Sequence, residues 1–219
     1  MTKKQRYEQV LQYFETAIAN PETELLYDNP YQLLVAVILS AQCTDVRVNL
    51  TTPAIFKQYP TPVELSKATF DELFPLIRSI SYPNNKTKHL IGMANMLLDK
   101  FKGEVPMTVD ELVQLPGVGR KTANVVTSVI DAQPNMAVDT HVFRVSARLG
   151  LTTKATTPLA AEKQLIKYIP TELVHKAHHW LILHGRYTCI ARNPKCEKCG
   201  LTTICPYFKK QQKKLGVTF

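Results

Sequence analysis

Lys121 lies in the run LPGVGRKTANVV, residues 115 to 126, and eighteen positions beyond it comes Asp139, in the segment Ala137-Val138-Asp139-Thr140-His141. An amine and a carboxylate can together carry covalent and acid–base chemistry, and the surroundings of each give this pair its weight. Pro116, Gly117 and Gly119 break the backbone within four residues, and apolar residues then recur at helical spacing from Arg120 to Ile130, so the segment reads as a tight hairpin opening into a helix. A helix start preceded by glycines presents unpaired N–H donors and the positive end of the dipole, which suits a phosphate. Gly117 and Gly119 have no Cβ, so another backbone can come close. Lys121 falls in the first turn, where that dipole disfavours an ammonium and favours the neutral, nucleophilic amine that forms Schiff bases. The plainer alternatives are a lysine that only touches phosphate and an aspartate that only caps the helix beginning at Thr140.

A second group of chemically capable residues is Cys189, Cys196, Cys199 and Cys205, in the pattern C-x6-C-x2-C-x5-C. Four thiols this close in a chain with no secretory signal are metal ligands sooner than disulfides. Structural zinc sites commonly pair two short CxxC knuckles, whereas one CxxC with longer flanking gaps sits better with four-thiolate iron–sulfur ligation, so spacing favours iron and leaves zinc open. Cys43 follows the apolar run Tyr31 to Leu39 and reads as a small buried hydrophobe rather than a nucleophile.

The elements that must hold these residues read as helices throughout, and the fold class is all-α. Thr69-Phe70-Asp71-Glu72 and Thr108-Val109-Asp110-Glu111 are capping-box patterns, and Thr61-Pro62 and Thr157-Pro158 place a cap before proline at the first helical position. Tyr31 to Leu39 has hardly a polar face, which predicts a helix buried on most sides. Lys86 to Phe101 is amphipathic, with Gly103 as the expected C-cap. Lys and Arg total 27 against 18 acidic residues, for a formal charge of +9, which fits a polyanionic partner. Placement adds to that excess: Arg186, Arg192, Lys195 and Lys198 surround the cysteines, and Lys86, Lys88, Arg120 and Lys121 are expected near one nucleic-acid-facing surface. The run KKQQKK at 209 to 214 reads as a solvated tail. No apolar run approaches the roughly 20 residues that span a bilayer, and the amino terminus interleaves charge with apolar residues, so an intracellular, cytoplasmic protein is expected.

The hairpin run, VDTHVFRV after it, HHWLILHGRYTC at 178 to 189, SAQCTDVRVN at 40 to 49 and the cysteine pattern together resemble the endonuclease III family, bifunctional DNA glycosylases of the helix-hairpin-helix superfamily. The resemblance runs from about Glu24 to the last cysteine. It implies that Lys121 attacks C1′ of a damaged pyrimidine nucleotide while Asp139 assists departure of the base, and that strand cleavage follows by β-elimination. It further implies a [4Fe-4S] cluster on Cys189, Cys196, Cys199 and Cys205, and damaged duplex DNA as the partner of a monomer. DNA contacts are implied for Gly117, Val118, Gly119, Arg120 and His141, and for Arg192 and Lys195 in the cysteine loop. Gln42 matches the family residue that fills the gap left by an extruded base. Tyr82 takes the place of a second, apolar wedge that is leucine in the family, a departure that an aromatic ring able to stack on bases would accommodate; the plainer alternative is a loop aromatic held by Pro83. The implied organisation is a six-helix domain at 22 to 132 holding a helix-hairpin-helix at about 108 to 127, and a second domain of 1 to 21 with 133 to 219 carrying the cluster loop, 189 to 205. DNA would lie in the cleft between them. The rival readings are a related adenine glycosylase, which lacks lysine at the hairpin position, and a non-catalytic duplex-binding module.

Overall fold

A computed structural model describes residues 1–214 and 216; positions 215 and 217–219, at the end of the second expected domain, lie outside the described residues. Among the described residues every regular element is a helix. In chain order these are α1 (Lys3–Ala17), α2 (Pro30–Ser40), α3 (Asp45–Gln58), α4 (Pro62–Ser66), α5 (Phe70–Ile77), α6 (Pro83–Phe101), α7 (Val109–Leu112), α8 (Arg120–Asp131), α9 (Thr140–Arg148), α10 (Pro158–Ile166), α11 (Val174–Tyr187) and α12 (Pro206–Lys214). Single 3-10 turns occupy Thr171–Leu173 and Cys196–Lys198. No helix among them is long and apolar enough to cross a membrane.

The local rules of capping set most helix starts. Thr61, Thr69, Thr108 and Thr157 each stand at an N-cap and accept a backbone N–H from the first turn through the side chain, satisfying a donor the helix cannot pair. The end of α6 departs from expectation by one position. Lys102, not Gly103, takes the cap with a left-handed backbone (φ 55°) and donates its N–H to Leu97, and Gly103 follows at φ 83°.

The chain divides into two compact units, Thr23–Ala132 and a unit joining Met1–Glu22 to Gln133–Phe219. In the first, α2 is buried at every position from Tyr31 to Leu39, as a run apolar on all sides requires. It packs on α3, α6 and α8, while α4 and α5 pack on α6. Leu33, Leu73, Ile77, Leu90, Met93 and Val126 fill the shared core. In the second unit α9 is the hub, packed against α10, α11 and α12, and α1 lies on α11. There Phe14 stacks on Trp180 with centroids 6.0 Å apart, and the buried indole N–H donates to the Ile18 carbonyl at 2.7 Å, so a large ring is buried with no polar atom left unpaired.

Candidate active site

The hairpin is built by nested turns. Leu115 donates its N–H to Leu112 and Val118 its N–H to Leu115, both at 3.0 Å, and the side chains of Leu112, Leu115 and Val118 are buried in the core. Gly117 turns the chain with φ 81°, and a Cβ there would lie 2.9 Å from His89 Cβ on α6. Two independent demands, a left-handed backbone and a close approach, thus fall on one residue. Gly92 of α6 answers from the other side, since a Cβ on it would meet Pro116 Cγ at 3.2 Å. The hairpin is therefore seated on the middle of α6.

Gly119 is the N-cap of α8 and offers no side chain to the first-turn amides, whereas Thr2, Asn29, Thr44 and Asp139 do so at their helices. A Cβ on Gly119 would meet nothing within 4 Å, so packing within the chain does not demand glycine there. Arg120 and Lys121 follow as exposed residues at the first two positions of α8. The result is an open helix tip with donors and cations beside one another, suited to a phosphate and carrying a primary amine at its edge.

The Gln42 and Tyr82 turns belong to the same unit as the hairpin. Both residues are exposed, and both hold left-handed backbone, φ 55° at Gln42 and φ 57° at Tyr82. Lys86 departs from its expected place on a nucleic-acid-facing surface. It is only 5% exposed, and its ammonium donates to the carbonyls of Leu39 at 2.8 Å and Ala41 at 2.6 Å. Burial lowers its affinity for the proton, and the neighbouring Cys43 works in the opposite direction. Periodicity had no way to single out this lysine, because its partners lie forty-five and forty-seven residues away. Lys88 is exposed, and Cys43 is half-buried against the core rather than fully enclosed, because it lies in the turn beyond the end of α2.

Asp139, half-buried, is the N-cap of α9, and its Oδ1 accepts the Val142 N–H at 2.7 Å. The capping role is thus realised, and it commits one carboxylate oxygen. His141, in the first turn of α9, lies 3.2 Å through Nδ1 from Arg144 Nη2. It also backs onto α11 so closely that a Cβ on Gly185 would fall 2.8 Å from His141 Cβ. Lys121 and Asp139 belong to different units.

Cys189, Cys196, Cys199 and Cys205 are all free thiols, and all four line one pocket, together with Leu149, His184, Pro194, Tyr207 and Phe208. Burial foremost, together with the neighbouring cysteines, pushes the thiols of Cys196, Cys199 and Cys205 up. Deprotonated together they would need a strong positive charge among them. The Phe208 N–H points to Cys205 Sγ at 3.5 Å, and Arg148 Nη1 to Cys189 Sγ at 3.5 Å. The donor set, the apolar surroundings and the N–H groups directed at sulfur fit a polynuclear thiolate-bound centre. Among the described residues no three His, Cys, Asp or Glu side chains already converge on a single ion position.

Two arginines four residues apart on α9 hold this loop. Arg148 donates to the carbonyls of Ile190 and Ala191 at 2.8 and 2.9 Å, and Arg144 donates to those of Gly185 and Cys189 at 2.8 and 3.2 Å. Their i, i+4 spacing in FRVSAR was the available signal for a shared task. Arg192 and Lys195, in the same loop, are exposed.

The class of protein follows from the fold with this hairpin: the model of the HhH-GPD superfamily base excision DNA repair proteins matches residues 35–171. The chain is 46% identical over 199 residues to endonuclease III of Rickettsia conorii, covering 91% of this chain and 94% of that one. It is also 46% identical to endonuclease III of Bacillus subtilis over 193 residues, 88% of each chain. A solved structure of a trapped endonuclease III–DNA covalent intermediate superposes with a TM-score of 0.91 at 45% identity, covering 97% of this chain and all of that one. The chain belongs to the endonuclease III family of base excision repair DNA glycosylases.

Proposed function

We propose that the protein excises oxidised pyrimidines from damaged duplex DNA and then cleaves the strand 3′ to the vacated site, with Lys121 as nucleophile. The single observation that carries the reading is the exposed lysine at the open, side-chain-free tip of α8, directly after the Gly117 hairpin. The neutral amine of Lys121 attacks C1′, the C1′–N bond to the base breaks, and the base leaves with the bonding pair. Loss of a proton from nitrogen and ring opening give an imine. The imine acidifies the C2′ hydrogen, whose removal expels the 3′ phosphate oxygen, and water then releases the amine. Asp139, ionised, stabilises positive charge developing on the sugar or takes the lysine proton. Gly117, Val118, Gly119 and Arg120 hold phosphate at the hairpin, and His141, Arg192 and Lys195 supply further contacts. Gln42 and Tyr82 occupy the space vacated by the extruded nucleotide.

Cys189, Cys196, Cys199 and Cys205 would hold a [4Fe-4S] cluster, which when bound ties the cysteine loop into one rigid surface. We assign the six-helix, hairpin-bearing domain to 22–132 and the cluster domain to 1–21 with 133–219, in a monomeric cytoplasmic protein. The test is a duplex bearing one oxidised pyrimidine. The wild-type protein should release the base and nick the strand, whereas Lys121→Ala should bind and not nick. Nicking by Lys121→Ala at the wild-type rate would overturn the assignment. Protein purified anaerobically should be yellow-brown with about four irons per chain; one zinc and no iron would remove the cluster.

A further inference from the structure

Lys86 takes no part in the chemistry above, yet two loops meet on it. Its backbone N–H donates to the Tyr82 carbonyl at 3.2 Å, the first bond of α6. Its ammonium donates to Leu39 and Ala41, carbonyls at the carboxyl end of α2 that lie immediately ahead of Gln42. The cation is thus placed where a helix leaves acceptors unpaired and its dipole is negative. A buried ammonium is costly unless fully hydrogen-bonded, and a lysine serving only as a surface charge would not be enclosed.

Gln42 and Tyr82 both hold a left-handed backbone, disfavoured for residues with a Cβ. Such conformations persist where the surroundings over-determine them, and they gather at functional positions. Here each of the two adjoins a group that Lys86 bonds: the carbonyl of Tyr82 itself on one side, and the carbonyl of the residue before Gln42 on the other. Ser40 helps close the α2 turn by accepting the Cys43 N–H at 3.0 Å, but it reaches only the Gln42 side.

We propose that Lys86 is a positioning residue that locks the Gln42 and Tyr82 turns into one fixed arrangement, so that both side chains enter the duplex together when a nucleotide is extruded. This rests on the reading of Gln42 and Tyr82 as the gap-filling pair. The lock matters only where a base stack must be opened. Removing it should spare imine formation on single-stranded abasic DNA and slow the same step in a duplex.

The probes are an abasic site in duplex and in single-stranded DNA, followed by borohydride trapping, and a duplex with 2-aminopurine opposite a non-cleavable tetrahydrofuran site. For Lys86→Met the ratio of duplex to single-strand trapping rates should fall roughly 10- to 100-fold, the scale of a small misplacement of reacting groups. The 2-aminopurine fluorescence change at saturating protein should fall at least about twofold as the wedge loses its place. If Lys86→Met does not fold, Lys86→Gln, which keeps an uncharged N–H donor group, is measured instead and should show a smaller fall in the same ratio. An unchanged ratio in whichever folded variant is measured, or an equal loss on both substrates, overturns the positioning role. Tyr82→Ala and Gln42→Ala separate the two levels of the argument. If both leave the fluorescence and the ratio at wild-type values, the gap-filling reading fails and the role of Lys86 fails with it. If they change both readouts while the Lys86 variant changes neither, only the role of Lys86 fails.

Discussion

Asp139 carries two assignments on one side chain: Oδ1 caps α9 through the Val142 N–H, and the carboxylate charge is asked to support base departure. Asparagine separates them, because it caps helices about as well as aspartate and carries no charge. Asp139→Asn should therefore melt close to wild type and bind damaged DNA, with base release slower by roughly 100-fold or more, the scale of losing a positioned electrostatic or acid–base group. Single-turnover release of the base, measured beside a thermal melt, checks it; excision near the wild-type rate would leave Asp139 as a cap alone. At this scale the sequence was legible where chemistry is local. The Gly117 turn and the start of α8 beside Lys121 were readable from the glycines just before that lysine, and the Asp139 cap from the helix just after it. The place of Lys86 was not, because the carbonyls that explain its burial belong to α2, far away in sequence, and no periodicity encodes a side chain that reaches across to them.

The helices were legible for the same reason, since caps are made with residues two or three positions away: Thr61, Thr69, Thr108 and Thr157 all cap as expected, with the expected box complete at Thr69 and only its threonine half formed at Thr108. The seating of one element on another was not. The glycines of the hairpin were plain, but only His89 on α6 shows the close approach a Cβ at Gly117 would meet, and only His141 on α9 shows the same for Gly185 on α11. This difference yields a paired prediction. Gly117→Ala meets both the positive φ and the 2.9 Å contact with His89, and should lose about 1–3 kcal/mol of stability. Gly119→Ala has φ −92° and nothing within 4 Å, so its stability should stay within about 0.5 kcal/mol of wild type. If phosphate approaches the tip of α8, Gly119→Ala should nonetheless weaken DNA binding measurably. Denaturant unfolding and a duplex titration on both variants give the answer; a stable Gly119→Ala protein with unaltered DNA affinity would move the phosphate away from that tip.

For the whole molecule, the excess of 27 basic over 18 acidic residues becomes informative once its placement is known. Lys86 is withdrawn into the core as an anchor, while Arg192 and Lys195 are exposed on a loop held from α9 by Arg144 and Arg148. Binding to duplex DNA should weaken linearly in log salt, and Lys195→Ala should lower that slope by roughly one phosphate equivalent. An unchanged slope would take Lys195 out of the interface. The central claim is that the amine of Lys121 bonds to the sugar, and borohydride reduction on an abasic duplex followed by tryptic mapping tests it most directly. A reduced adduct on Lys121 blocks cleavage after that residue, so the DNA remnant should be found on the peptide spanning Lys121 to Arg144, which contains no other lysine. Trapped protein whose adduct maps to any other lysine, or to the amino terminus, would contradict the account.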